Sequence, residues 1–207
     1  VTGGAVRAIT NGAQQVVLGN RSASGTMVGT ITDAAHPVEV ARIALGPKGA
    51  EIARITDINA DFTADKQLGS VEEVWYTSTG GTKVQGWIVK PPNFDTKKKY
   101  PMLLEIHGGP QGMYGVGFDP MWHAFAGAGF VVLYTNPRGS TGYGNAFMTA
   151  IDKNYPGPDY DDLMAGVDTV VGRGYVDPAQ LYVAGCSGGG ILTSWVITHT
   201  TRFAGAA

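Results

Sequence analysis

An apolar run, Leu181-Tyr182-Val183-Ala184, passes directly into Gly185-Cys186-Ser187-Gly188-Gly189, and residues 188–198 then read as a helix. A strand that must become a helix within so few residues constrains the fold more than any other feature of the chain. Glycines two before and two after the serine leave room for the backbone to fold back on itself. The serine is then held in a strained conformation with its hydroxyl projecting above a sheet. The N–H groups that follow sit at a helix N-terminus, where they can meet developing negative charge. Alone, the pentapeptide fits any glycine-rich strand–helix turn. The strand before it and the helix after it select the G-x-S-x-G elbow. Ser187 is therefore the candidate nucleophile, Gly185 and Gly189 are the elbow glycines, and Gly188 is a candidate oxyanion donor.

The rest of the pattern agrees with a sheet flanked by helices. Val71 to Thr77 and Lys83 to Lys90 read as strands around the turn Thr79-Gly80-Gly81-Thr82. Met102 to Ile106, Phe130 to Tyr134, Leu181 to Ala184 and Phe203 to Ala207 read as further strands, the first three buried. Residues 119–127 and 160–172 read as helices, the second carrying Leu163, Val167, Val170 and Val171 on one face. Asp177-Pro178 reads as a turn or helix start. Buried strands alternating with helices predict an α/β fold with a largely parallel sheet.

Before residue 63 the chain has a different character. Four short runs, at residues 14–18, 26–32, 38–45 and 51–55, are separated by turn residues and predict one antiparallel sheet. Four strands per unit is also the make-up of a β-propeller blade, and a lone blade cannot bury both faces. The expected organisation is a β-sheet unit at 1–62 followed by an α/β unit at 63–207.

Composition removes several classes of function. With 15 basic and 17 acidic side chains the net charge is −2, and no basic stripe suited to nucleic acid is present. Lys97-Lys98-Lys99 reads as a solvated loop. No apolar run approaches the roughly 18 residues of a membrane span. The single cysteine, Cys186, forbids an internal disulfide and reads as a small filler beside the elbow serine. The glycines at 185–190 lack the Lys-Ser/Thr of a P-loop, and Gly127-Ala128-Gly129 ends a helix instead of opening one. No metal-ligand spacing occurs, so neither a metal nor an organic cofactor is expected. Trp75, Trp87, Trp122 and Trp195 read as core or interface aromatics.

A second glycine loop, His107-Gly108-Gly109-Pro110, follows an apolar strand. Hydrolases with the elbow draw one oxyanion N–H from the residue after the nucleophile, here Gly188, and the other from such a loop, here Gly109. None of the four histidines suits the general base. His36 lies in the first unit and His123 on a helix well before the nucleophile. His199 lies about 18 Å along the elbow helix, and His107 suits a loop-bracing role. The order Ser, then Asp or Glu, then His places both partners beyond Ala207. The chain is expected to be cut at both ends and, by itself, nearly inactive.

His107 to Pro110, Asn136-Pro137-Arg138-Gly139-Ser140-Thr141-Gly142-Tyr143-Gly144, Asp159-Tyr160-Asp161-Asp162 and Gly185 to Gly190 occur in this order. The set resembles the prolyl oligopeptidase family of serine peptidases, in its acylaminoacyl-peptidase and dipeptidyl-peptidase branch. The resemblance implies an incomplete α/β-hydrolase fold preceded by the last blade of a β-propeller. It implies oligopeptide substrates and an acyl-enzyme at Ser187, with Gly109 and Gly188 as oxyanion donors. It also implies a brace between Arg138 and a carboxylate among Asp159 to Asp162. The family often carries Tyr directly after the serine, where this chain has Gly188. A carboxylesterase of the same fold and a non-catalytic binding member are the rival readings. Compartment (cytoplasmic, periplasmic or secreted) and oligomeric state, a homo-oligomer included, stay open.

Overall fold

A computed structural model describes residues 8–207, which form two compact units. The first comprises the residues up to Lys66 together with Gly115–Asp119, and the second comprises Gln67–Tyr114 and Pro120–Ala207. The division falls a few residues later than the change in sequence character at 63. The five-residue return arises because the Phe118 N–H donates to Thr32 Oγ1 (3.0 Å) and its ring meets Phe62 edge-on.

In the first unit, β1 (Gln15–Arg21), β2 (Met27–Asp33), β3 (His36–Gly46) and β4 (Gly49–Arg54) pair antiparallel in sequence order. A short helix, α1 (Ala60–Thr63), follows. The two faces of this sheet differ: Met27, Ile31, Ala41 and Ile43 are buried, whereas Val17, Val28 and Val38 stay exposed. Glu39 is the buried exception. Its carboxylate accepts from the Thr56 hydroxyl, the N–H groups of Ile58 (3.1 Å) and Asn59 (3.0 Å), and Asn59 Nδ2 (2.9 Å). The Thr56 hydrogen bond leads in pulling its pKa from 4.5 to about 2, against the opposing effect of burial. A depressed folded-state pKa gives stability that is present above 4.5 and lost as pH falls through about 2. Denaturation free energy measured against pH should therefore fall across that window, and Glu39→Gln should flatten this part of the profile.

The second unit holds a six-stranded sheet. Its strands are β5 (Val71–Thr77), β6 (Lys83–Val89), β7 (Tyr100–Ile106), β8 (Val131–Asn136), β9 (Val176–Gly185) and β10 (Phe203–Ala206). Their spatial order is β10-β9-β7-β8-β6-β5. β8, β7, β9 and β10 are mutually parallel, while β6 runs antiparallel to both β8 and β5. The sheet is thus mixed, with the expected parallel part confined to four strands. Four helices accompany it: α2 (Pro120–Gly127), α3 (Asn145–Met148), α4 (Pro158–Val171) and α5 (Gly188–His199).

α4 opens with Pro158 at its first turn and carries Asp159 and Asp161 there, where acidic groups oppose the helix dipole. Leu163, Val167 and Val170 bury completely against Leu104, Leu133 and Leu181 of the sheet. Asp177-Pro178 neither ends a strand nor starts a helix; it lies inside β9. The turn chemistry is present, since the Asp177 carboxylate accepts from the Ala179 N–H and Gln180 Nε2. It acts as a bulge, because the β7–β9 register jumps from Tyr100↔Val176 to Met102↔Leu181. No helix among the described residues is long and apolar enough to cross a membrane.

After β7 the chain adds β8 on one side, then crosses to place β9 on the other. In open α/β sheets that reversal leaves a crevice at the carboxyl ends of the strands. The loops after β7, β8 and β9 all emerge there.

Candidate active site

Ile106 pairs in register with Gly185, so the loop after β7 and the elbow after β9 leave the sheet side by side. Ser187 is the N-cap of α5 with φ 58° and ψ −119°. A non-glycine residue there stores on the order of 1–3 kcal/mol of strain, which its surroundings must impose. The surroundings do so by close approach. A Cβ at Gly189 would lie 2.1 Å from the Ile106 carbonyl oxygen, and one at Gly185 would lie 2.6 Å from the Gly189 carbonyl. Three successive glycines make a poor helix start. The burial of Leu192 and Val196 one and two turns later offsets that cost. Gly189→Ala should therefore force α5 away from β7, a strain of about 1–3 kcal/mol or more. Urea denaturation should show the loss, together with weaker function of Ser187.

The two glycine loops pack directly on each other. A Cβ at Gly108 would stand 3.3 Å from Ser187 Cβ and 3.8 Å from its Oγ. A Cβ at Gly188 would stand 2.8 Å from the Gly109 carbonyl oxygen and 2.9 Å from the Gly109 nitrogen. A tyrosine at position 188 would thus collide with Gly109 as placed here; glycine permits the contact. Gly109 has φ 129°, a conformation that favours glycine. Within the described residues, neither the Gly109 nor the Gly188 N–H donates to another group, whereas the next one, Gly189, donates to the Cys186 carbonyl (3.0 Å). Cys186 is exposed beside the serine. The Tyr155 hydroxyl donates to the Gly188 carbonyl (2.8 Å), a contact with no signal in the sequence.

His107 braces its loop. Nδ1 lies 2.7 Å from the Gly108 carbonyl, which can only accept, so Nδ1 carries the proton. Burial pushes the imidazole pKa down, which favours this neutral form. Nε2 then faces the Ser140 hydroxyl (2.9 Å), whose single proton is shared with the Pro137 carbonyl (2.7 Å). With both nitrogens engaged, His107 is not directed at Ser187. His199 is at the far end of α5, stacked on Trp195 with Nδ1 at the Trp195 carbonyl (2.9 Å). His123 is buried on α2, and His36 pairs with Asp33 in the first unit.

Arg138 makes the brace that the sequence left unassigned among three carboxylates: its partner is Asp162. Nε and the NH2 nitrogen reach the two carboxylate oxygens at 2.7–3.2 Å, and the Arg138 backbone N–H adds a bond of 2.8 Å. Asp162 is fully buried, and Tyr76 donates to its carbonyl. Trp87 and Trp122 sandwich Tyr134 within the core, whereas Trp75 is half exposed.

Chemically, the arrangement offers an exposed primary alcohol next to two uncommitted N–H donors, which suits attack on a carbonyl and stabilisation of the resulting oxyanion.

Residues 117–207 match the model of the prolyl oligopeptidase family. An uncharacterized peptidase, YuxL, of Bacillus subtilis is 37% identical over 86% of this chain and 27% of its own length. Dipeptidyl-peptidase 5 of Schizosaccharomyces pombe is 40% identical over 70% of this chain and 22% of its own. The acylaminoacyl peptidase of Pyrococcus horikoshii superposes with a TM-score of 0.85 at 24% identity, covering 97% of this chain and 31% of that one. That likeness establishes the shared fold, an α/β-hydrolase sheet preceded by a propeller-like blade. The chain spans about a quarter of the length of the curated relatives it matches.

Proposed function

The chain belongs to the prolyl oligopeptidase family, and from that premise we propose that it carries the nucleophile of a serine peptidase acting on oligopeptides. Ser187 Oγ attacks the scissile carbonyl, and the tetrahedral oxyanion accepts from the N–H groups of Gly109 and Gly188. Collapse expels the amine and leaves an acyl-enzyme on Ser187, which water then hydrolyses. The general base is a histidine, oriented by a carboxylate, and this reading assigns both to the longer protein beyond Ala207. The observation that supports it most is the contact of Gly108 and Gly109 with Ser187 and Gly188, which brings two unpaired N–H groups to one hydroxyl. The names of the relatives, a dipeptidyl-peptidase and an acylaminoacyl peptidase, support peptides as the substrate class.

The full-length protein should be assayed on peptide p-nitroanilides and on short acyl esters. Release of nitroaniline that depends on Ser187 is the expected outcome. Ester turnover with no peptide cleavage would assign a carboxylesterase instead. Neither activity, with no labelling of Ser187, would leave a binding member of the family.

A further inference from the structure

Gly109 is exposed, and its loop, residues 107–114, contains no regular structure. Something must fix it, since a donor displaced by 1 Å loses most of its value. His107 holds one end, and the Gly112 carbonyl accepts from the Thr141 N–H (3.0 Å) midway. At the other end the Tyr114 ring packs edge-on against His107, Trp122 and Tyr134, and its backbone is gripped by the Asn136 side chain. Asn136, the last residue of β8 and completely buried, accepts from the Tyr114 N–H at Oδ1 (2.7 Å). Its Nδ2 donates back to the Tyr114 carbonyl (3.0 Å). The pair closes a ring like that between two strands, with the side-chain amide standing in for a peptide. The second Nδ2 hydrogen goes to the Tyr143 hydroxyl (2.6 Å), which itself donates to Gln85 Oε1. Gln85 Nε2 and Trp75 Nε1 both end on Glu73 Oε1 (2.7 Å each).

Every hydrogen-bonding site this amide needs is used, and only an amide fits. A carboxylate of the same shape would face the Tyr114 carbonyl with an acceptor; a leucine would remove both of these hydrogen bonds. We propose that Asn136 is a positioning residue for catalysis: it locks the Tyr114 end of the glycine loop and so sets where the Gly109 N–H meets the oxyanion. Tyr143 backs it by fixing the rotation of the amide. The proposal rests on the serine-peptidase reading above.

The test uses the full-length protein carrying the isosteric Asn136→Asp substitution, with kcat counted per Ser187 titrated by a fluorophosphonate. Removing an oxyanion donor costs on the order of 100- to 1000-fold. Displacing one should therefore lower kcat by roughly 10- to 100-fold, with KM within about threefold. Affinity for a peptide boronic acid, which engages the oxyanion site, should fall in step with kcat/KM. The ratio of variant to wild-type activity should also rise as pH is lowered. Protonation of the introduced carboxyl restores a donor toward the Tyr114 carbonyl; the titratable groups facing it are Tyr143, Glu73 through Gln85, and His107 across the Tyr114 ring. If that variant is poorly folded, Tyr143→Phe should still lower kcat per titrated site several-fold. Unchanged kcat per titrated site in both variants would overturn the proposal alone. A wild-type protein without Ser187-dependent turnover would overturn the reading beneath it as well.

Discussion

Ser187→Ala in the full-length protein should reduce kcat on a peptide substrate by on the order of a million-fold, with KM barely changed. The size follows from the role: without the hydroxyl no acyl-enzyme forms, and the oxyanion donors can assist only direct attack by water. Binding should persist because the elbow needs no side chain at this position to hold its shape. Its geometry is set by Gly185 and Gly189 against the Ile106 strand end. An alanine is also strained at φ 58°, so the variant should fold with similar stability. Steady-state kinetics and thermal denaturation, run together, separate lost chemistry from lost fold.

Arg138→Met should have the largest effect on stability. Asp162 is fully buried, and the guanidinium supplies most of the hydrogen bonds that compensate its charge. Breaking such a pair from one side costs about 3–5 kcal/mol, because a buried charge is left behind. For a unit of this size that is a fall of roughly 6–20 °C in the thermal midpoint. The double substitution Arg138→Met with Asp162→Leu should recover part of the loss, since the charge goes with its partner. A drop no larger in the single variant than in the double would contradict this account. Activity should fall as well. The loop that Arg138 ties to α4 also carries Ser140 and Thr141, which hold the Gly109 loop through His107 and Gly112.

The sequence revealed some of these features and hid others for identifiable reasons. The elbow was readable because an apolar run ends at Ala184 and a helix begins within four residues. The four-stranded first sheet was readable because the first three runs end at Gly19, Asp33 and Gly46. Strand order was not, since periodicity carries no information about which side of β7 receives β9. Asp177-Pro178 misled because an aspartate that accepts from the residues after it serves a bulge as well as a turn. For Arg138, residue type announced a brace, but the partner lies across a loop and a helix start, and three carboxylates were equally open. Asn136 lay within a recognised motif, yet its role was invisible because its partner is the backbone of Tyr114, and a backbone group leaves no mark in sequence. Tyr155, which reaches Gly188 from 33 positions away, was missed for the same reason.

The central claim is that Ser187 is an activated nucleophile, and covalent labelling tests it most directly. The full-length protein is treated with a fluorophosphonate, digested with trypsin and sequenced by mass spectrometry. The account predicts a single stoichiometric adduct on Ser187, within the tryptic peptide spanning residues 174–202, and no adduct in the Ser187→Ala variant. An adduct on another residue, or labelling that survives Ser187→Ala, would contradict it.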